Sequence, residues 1–194
     1  MSTLVALDVA ILPPPDVSRR AIELSAALPE EGSSGLRLDA EHLPHVTLAQ
    51  QFVAPGDLDS LYAALDAVLT NQPQLSLTVT GGGRNGGTVW MTIEPAPGLV
   101  RLHERLTSAL GRFERRGGSP DAFFDGNARA GDLAWVSTYR RKASLLSFLP
   151  HITLGHAPHA PVVEPFTFEA AVVAACHLGR FCTCRKVLRR WDLR

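Results

Sequence analysis

Charge of either sign is not in surplus: 19 Lys and Arg residues meet 19 Asp and Glu residues, for a formal net charge of zero. That balance excludes the salt-sensitive grip on a long duplex that a basic chain would have. A small nucleotide or an RNA end is the partner that neutrality fits better. Lysine is nearly absent, with Lys142 and Lys186 the only two. Arginine suits bidentate phosphate contacts, but such a skew more often reflects genome composition and carries little weight. Cysteine is scarce as well. Cys176, Cys182 and Cys184 are odd in number and bunched late, a poor disulfide framework. Cys182-Thr-Cys184 lacks the four-ligand spacing of a structural zinc site. The three read as ordinary reduced residues, and neither a metal nor another cofactor is expected.

Long apolar runs are missing too. None approaches the roughly 20 residues that span a bilayer, and Met1-Ser-Thr-Leu4 shows no basic stretch ahead of an apolar block. No membrane partner is expected, and a cytoplasmic location follows by default. With 45% hydrophobic and 20% charged residues, the composition matches globular domains and excludes disorder over most of the chain. Its 194 residues suit one domain of two closely packed lobes spanning 1–194, and a monomer is expected.

Leu4 to Ile11 is a short β-like run ended by Pro13-Pro-Pro15. Asp16 then caps a helix over Val17 to Leu28, with Val17, Ala21, Leu24 and Leu28 on one face. A Gly and Ser turn leads to a brief strand at Leu36 to Leu38, and His45 to Val53 is another strand. Leu58, Leu61, Leu65 and Val68 mark a second helix; Leu99, Leu102, Leu106, Leu110 and Phe113 mark a third. Between these helices, Leu75 to Thr80 and Thr88 to Ile93 form a strand pair. The loop Gly81-Gly-Gly-Arg-Asn-Gly-Gly87 fits neither phosphate-binding fingerprint and reads as their hairpin turn. Residues 114 to 147 lack a clean period until Leu133 to Tyr139. A structureless loop of that length points to function or mobility, so 114–147 is a candidate insertion. Strands resume at His151 to Gly155, Phe166 to Ala175 and Cys182 to Trp191. Three helices with eight or nine short, mostly antiparallel strands indicate an α+β fold.

One hexapeptide occurs twice. Leu43-Pro-His-Val-Thr-Leu48 and Leu149-Pro-His-Ile-Thr-Leu154 differ only by Val against Ile and lie 106 residues apart. The spacing suggests two halves built from a common unit. Side chains alternate along a strand, so His45 and Thr47 share one face and Val46 and Leu48 the other; His151 and Thr153 repeat the arrangement. Two such strands would bring two imidazoles and two hydroxyls to one small volume. One neutral imidazole can take a proton from the attacking water while the other, protonated, gives one to the leaving oxygen. An ordinary imidazole pKa of about 6.5 lets both states coexist near neutrality. The hydroxyls can donate to the non-bridging phosphate oxygens. A lone His-x-Thr is ordinarily a packed or surface histidine; the near-identical repeat is what points to a catalytic set. Carboxylates do not cluster beside either histidine in the sequence, and the chemistry needs no metal.

At these residues the chain resembles the two-histidine (2H) phosphoesterase superfamily, particularly its 2′-5′ RNA ligase-like and RNA cyclic phosphodiesterase branch. The strand Leu4-Val-Ala-Leu-Asp8 and the closing Leu188-Arg-Arg-Trp-Asp-Leu193 also look like the family. The resemblance implies two pseudo-symmetric lobes of mostly antiparallel sheet, helices outside, and a central cleft carrying both motifs. It implies opening of a 2′,3′-cyclic phosphate, usually to the 2′-phosphate. His151 would be the base, His45 the acid, and Thr47 and Thr153 the phosphate holders, with the two histidine roles easily exchanged. The second motif continues Gly155-His156, where related proteins often carry an arginine. Other members act on 2′-5′ linkages, ADP-ribose cyclic phosphate or cyclic oligonucleotides, and a non-catalytic nucleotide- or RNA-binding module is a further alternative. That last reading predicts loss of a motif residue, yet all four are present.

Trp135, Tyr139, Arg140 and Arg141 are candidates to stack on a base and meet a phosphate; the plainer reading packs the two aromatics against the body of the protein. His42 reads as a loop residue, His103 as a solvent-facing helix residue, and His156 and His159 as strand-end residues.

Overall fold

Proline opens two of the helices. Pro15 and Pro97 stand in the first turns of α1 (Pro15–Ala26) and α3 (Pro97–Leu110), where a missing N–H costs nothing. The computed structural model describes residues 4–194. The described residues also form α2 (Leu58–Leu69), α4 (Ala130–Lys142) and eight strands. In chain order these are β1 (Val5–Ile11), β2 (Val46–Val53), β3 (Leu75–Asn85), β4 (Thr88–Ile93), β5 (His151–His156), β6 (Phe166–Ala170), β7 (Val172–Leu178) and β8 (Cys184–Asp192). They make two antiparallel four-stranded sheets, ordered β2-β1-β7-β8 and β5-β4-β3-β6. Each motif strand therefore lies at a sheet edge, and the two orders mirror each other. No helix among the described residues is long and apolar enough to cross a membrane.

Alternation along the strands separates two cores. Leu7, Val9 and Ile11 of β1 join Val46, Leu48, Ile152, Leu154 and the apolar faces of α1, α2 and α3 in one continuous core shared by both sheets. The opposite face of β1 carries Ala6 and Ala10, which pack with Phe52, Phe123 and Val136 under α4. Helix periodicity places Leu61, Leu65 and Leu69 of α2 and Leu99, Leu102, Leu106 and Leu110 of α3 inward, as their spacing dictates.

Asp16 stands in the first turn of α1 rather than capping it, the cap position being Pro14, and four larger features also differ from the sequence reading. Leu36 to Leu38 is irregular rather than a strand: no neighbouring strand pairs it, and the Leu38 N–H donates instead to Ser25 Oγ at 2.9 Å. The glycine loop is mostly strand, for β3 runs through Asn85 and only Gly86-Gly87 turn. Glycine is required there by close approach. A Cβ on Gly82 would collide with the Pro161 carbonyl oxygen, and one on Gly83 with Trp90 Nε1. Phe166 to Ala175 is two strands, β6 and β7, which belong to different sheets. A fourth helix, α4, lies within 114–147 and takes in Leu133 to Tyr139, outside the three helices expected from the sequence. Its inward positions are Asp132, Val136 and Tyr139, and one acid among three blurs the apolar stripe.

Candidate active site

A β-bulge gives each motif its shape. Ala10 and Val9 face Thr47 and Ala49, leaving Leu48 as the extra residue of β2. Trp90 and Val89 face Thr153 and Gly155, leaving Leu154 as the extra residue of β5. A bulge advances the alternation by one. The third cleft-facing residue on each strand is therefore Gln50 after His45 and Thr47, and His156 after His151 and Thr153. Simple alternation would have turned both away, which is why Gln50 went unnoticed and His156 read as a mere strand end.

The two histidines are oriented alike. His45 Nδ1 lies 2.8 Å from the Leu43 carbonyl oxygen, and His151 Nδ1 lies 2.7 Å from that of Leu149. A carbonyl only accepts, so each neutral ring carries its proton on Nδ1 and leaves Nε2 for chemistry. Their electrostatic surroundings differ. His45 Nε2 lies 3.6 Å from Oδ2 of the fully buried Asp8. The same oxygen accepts from Thr47 Oγ1 at 2.8 Å and Gln50 Nε2 at 2.7 Å, while Asp8 Oδ1 has no partner among the described residues. Burial pushes the Asp8 carboxyl up, opposed by the His45 charge and the Gln50 and Thr47 hydrogen bonds. No carboxylate among the described residues contacts His151. Burial and the charge of His45 hold its imidazole below the ordinary value, against the Leu149 hydrogen bond. The Trp90 ring lies against it, centroids 5.1 Å apart. The sequence showed no carboxylate beside either histidine because Asp8 arrives from the neighbouring strand. A lone acid between Ala6 and Ala10 on a face of small side chains was the available signal.

Both motifs line one cleft of about 660 Å³. It brings together His45, Thr47, His151 and Thr153, and adds Gln50, Trp90 and His156. From α4 come Trp135, Tyr139 and Lys142. Burial and the nearby Asp8 push the Tyr139 phenol well above its usual range, so it remains a neutral donor. Trp135 stands edge-on to it, ring centroids 6.0 Å apart, and is 43% exposed. Arg140 and Arg141 do not line this cleft. They leave α4 on its other flank, where Arg140 Nη1 donates to the Thr107 carbonyl at 2.6 Å. The cleft cations are Lys142 and Arg129. Arg129 is bound to Asp132 at 2.6 Å, its guanidinium 3.8 Å above the Phe181 ring. Phe181 and Cys182 both adopt positive φ, 62° and 54°. Asp132 Oδ2 accepts from the Phe181 N–H at 3.1 Å and helps fix this costly geometry at the cleft wall.

Two polar helix residues tie the halves together crosswise. Ser25 of α1 donates from Oγ to the Leu154 carbonyl at 2.5 Å and accepts the Leu38 N–H. His103 of α3 bonds through Nδ1 to the Leu48 carbonyl at 2.7 Å, and its Nε2 accepts the Leu145 N–H at 2.7 Å. Each side chain thus satisfies the bulged leucine of one motif and holds the chain segment that leads into the other. His103 is fully buried and stacked on Phe148 at 3.9 Å, contrary to the solvent-facing position expected from the helix pattern. The expectation failed because the polar partners that satisfy the ring are remote in sequence. His42 is a loop residue as expected, bonded to Asp39 at 2.8 Å.

One cluster among the described residues could hold a cation: donor atoms of Asp8, His45 and Cys184 lie within 4.8 Å of one another. It offers only three protein donors, and burial pushes the Cys184 thiol well up. Proton transfer by His45 requires its Nε2 to be free of such an ion.

Solved structures share this architecture. A structure described as a phosphoesterase superposes with a TM-score of 0.65 at 23% identity, covering 97% of this chain and 98% of its own. Escherichia coli LigT complexed with 3′-AMP gives 0.65 at 22%, covering 98% of each chain. TT0787 of Thermus thermophilus gives 0.62 at 16%, again covering 98% of each. No curated protein sequence matches. The family model described as the 2′-5′ RNA ligase superfamily matches residues 13–176, which takes in both motifs, and the chain belongs to that superfamily.

Proposed function

We propose that the protein is a metal-independent phosphodiesterase that opens 2′,3′-cyclic phosphates of RNA ends or nucleotides to 2′-phosphates. The observation that carries this reading is the pair of imidazoles in one cleft, each fixed through Nδ1 so that Nε2 is its reactive atom. The unequal surroundings favour one assignment of the roles. His151 has no carboxylate partner among the described residues and is held neutral by burial, which suits the base. His45 Nε2 lies 3.6 Å from the Asp8 carboxyl, a partner that His151 lacks, and this suits the acid.

His151 Nε2 takes a proton from water as the water oxygen bonds to phosphorus. The bond from phosphorus to the ribose 3′-oxygen breaks, and His45 gives that oxygen a proton. Exchange with solvent then restores both rings. The Thr153 hydroxyl, which has no hydrogen-bond partner among the described residues, is available to a non-bridging oxygen. Thr47 lines the other side, but its one hydroxyl hydrogen goes to Asp8 Oδ2, so it reaches a phosphate oxygen only by releasing that bond. Escherichia coli LigT has been solved with 3′-AMP, with ATP and with NADP+; a nucleotide-sized occupant agrees with the volume of this cleft.

The test is hydrolysis of 2′,3′-cyclic AMP in EDTA from pH 5 to 9, with wild type, His45→Ala and His151→Ala. Wild type should give a bell-shaped profile, and each variant should lose about 10²-fold or more. Near-normal turnover by both variants would overturn the two-histidine mechanism. Activity lost in EDTA and restored by a divalent metal would instead assign the Asp8, His45 and Cys184 cluster a catalytic ion.

A further inference from the structure

The outer flank of α4 carries a second cavity, of about 570 Å³, that the catalytic reading leaves unused. Arg115, Arg116, Arg140 and Arg141 line it, together with Glu114, Gly117 and Ser137. In a chain of zero net charge, four guanidiniums around one hollow are a strong local departure. Two of them are committed to the fold. Arg115 is ion-paired to Asp57, and Arg140 holds the Thr107 carbonyl at 2.6 Å and lies 3.9 Å from Glu114. Arg116 and Arg141 are exposed and have no acidic partner among the described residues.

The position of this hollow gives it meaning. Along α4, Trp135, Tyr139 and Lys142 face the catalytic cleft, while Ser137, Arg140 and Arg141 face the arginine hollow. Lys142 and Arg141 are consecutive, so positive charge continues from the cleft over the C-terminal end of the helix into the hollow. Part of that charge complements the helix dipole. The dipole does not account for Arg115 and Arg116, which come from a different segment and converge on the same space. The two sites are separated by about one helix diameter, roughly 10–12 Å, a gap that a few nucleotides of extended strand can bridge.

We propose that this hollow is a second anion site. It takes the phosphodiester backbone of a single-stranded substrate whose cyclic phosphate end lies in the catalytic cleft, with Arg116 and Arg141 as the phosphate ligands. The proposal rests on the phosphodiesterase reading and narrows it: the preferred substrate is an oligonucleotide end rather than a free cyclic mononucleotide. Arginine forks suit phosphate oxygens, and each such contact on a single strand contributes about 0.7 to the salt slope.

The experiment compares 2′,3′-cyclic AMP with a short oligoribonucleotide ending in a 2′,3′-cyclic phosphate, using wild type and the double variant Arg116→Glu/Arg141→Glu. At low salt, kcat/KM for the oligonucleotide should fall about tenfold or more, and its salt slope by roughly 1.4. Hydrolysis of the cyclic mononucleotide and the melting temperature should stay near wild type, since both side chains are exposed. Equal losses on the two substrates, or a loss on neither, would overturn the second site. If wild type opened neither substrate, the phosphodiesterase reading would fail on its own. Fluorescence anisotropy with a labelled, 3′-phosphorylated oligoribonucleotide would then decide the anion site. Salt-sensitive binding weakened in the double variant supports it, and equal binding by both proteins refutes it.

Discussion

Ser25 and His103 make the same pair of hydrogen bonds in opposite halves, each reaching the bulged leucine of one motif and the approach to the other. The two catalytic strands lie at the edges of different sheets, and each side chain links one strand to the segment that leads into the other. Replacing His103 by Ala leaves the buried Leu48 carbonyl and the half-buried Leu145 N–H unpaired and removes the Phe148 stack. The expected loss is about 2–4 kcal/mol, read by urea unfolding. Ser25→Ala should cost less, about 1–3 kcal/mol, because it removes less packed volume. Both should lower kcat on 2′,3′-cyclic AMP under conditions where the variants are fully folded. Unchanged kcat would make the ties purely structural.

The same histidine predicts an acid-sensitive fold. Burial holds His103 below the ordinary imidazole value, and burial does the same for His151. The unfolded chain, with imidazoles near 6.5, therefore binds more protons than the folded one as pH falls. This contribution to stability is fully present above about 6.5 and is lost as pH drops toward the folded values. A protonated His103 would also present a hydrogen to the Leu145 N–H it now accepts from. Melting temperatures should fall from pH 7 to pH 5. His103→Gln should flatten the dependence by up to about 1.4 kcal/mol per pH unit. An unaltered slope would show that His103 is not among the titrating groups.

The repeated hexapeptide made both histidines and both threonines legible because strand alternation alone relates them. Helices α1 to α3 were legible from apolar residues at three- and four-residue spacing. What surrounds the motifs was hidden for physical reasons. Asp8 sits in β1, and nothing near it in sequence shows that β2 and α4 close over it. A register shift of one residue leaves no mark in composition, so Gln50 and His156 could not be placed beside Thr47 and Thr153. Helix α4 buries an aspartate in its stripe, so neither the helix nor its division of Lys142 from Arg140 and Arg141 could be read.

Asp8 offers a substitution in which activity and stability should part. Its carboxyl is raised by burial, so the folded state holds that proton more tightly than the unfolded chain. Its contribution to stability is fully present below about 3.9 and is lost as pH rises toward the folded value. Asp8→Asn keeps an acceptor for Thr47 and Gln50 and removes the charge. The melting temperature at pH 7 should be equal or higher, while kcat falls about tenfold or more as His45 loses its counter-charge. A lower melting temperature with normal kcat would make Asp8 a structural residue only.

Gly155 decides where His156 points. Its φ of +153° and the leucine bulge before it turn the strand, and a Cβ there would lie 2.8 Å from Leu28 Cδ1 and 3.0 Å from the Leu36 carbonyl oxygen. The Leu28 side chain can yield, but the Leu36 backbone is held beside Leu38, which Ser25 anchors. Gly155→Ala should therefore destabilise by about 1–3 kcal/mol and displace the His156 ring from Ser34, to which its Nδ1 is bonded at 2.9 Å. Burial, reinforced by Arg129 and Arg37, keeps His156 neutral near pH 7, where it can offer a phosphate or ribose a hydrogen bond. His156→Ala retains the bulge and should leave stability near wild type. If His156 touches the substrate, both variants raise KM several-fold while only Gly155→Ala loses stability. An unchanged KM in His156→Ala would reduce the third cleft histidine to a partner of Ser34.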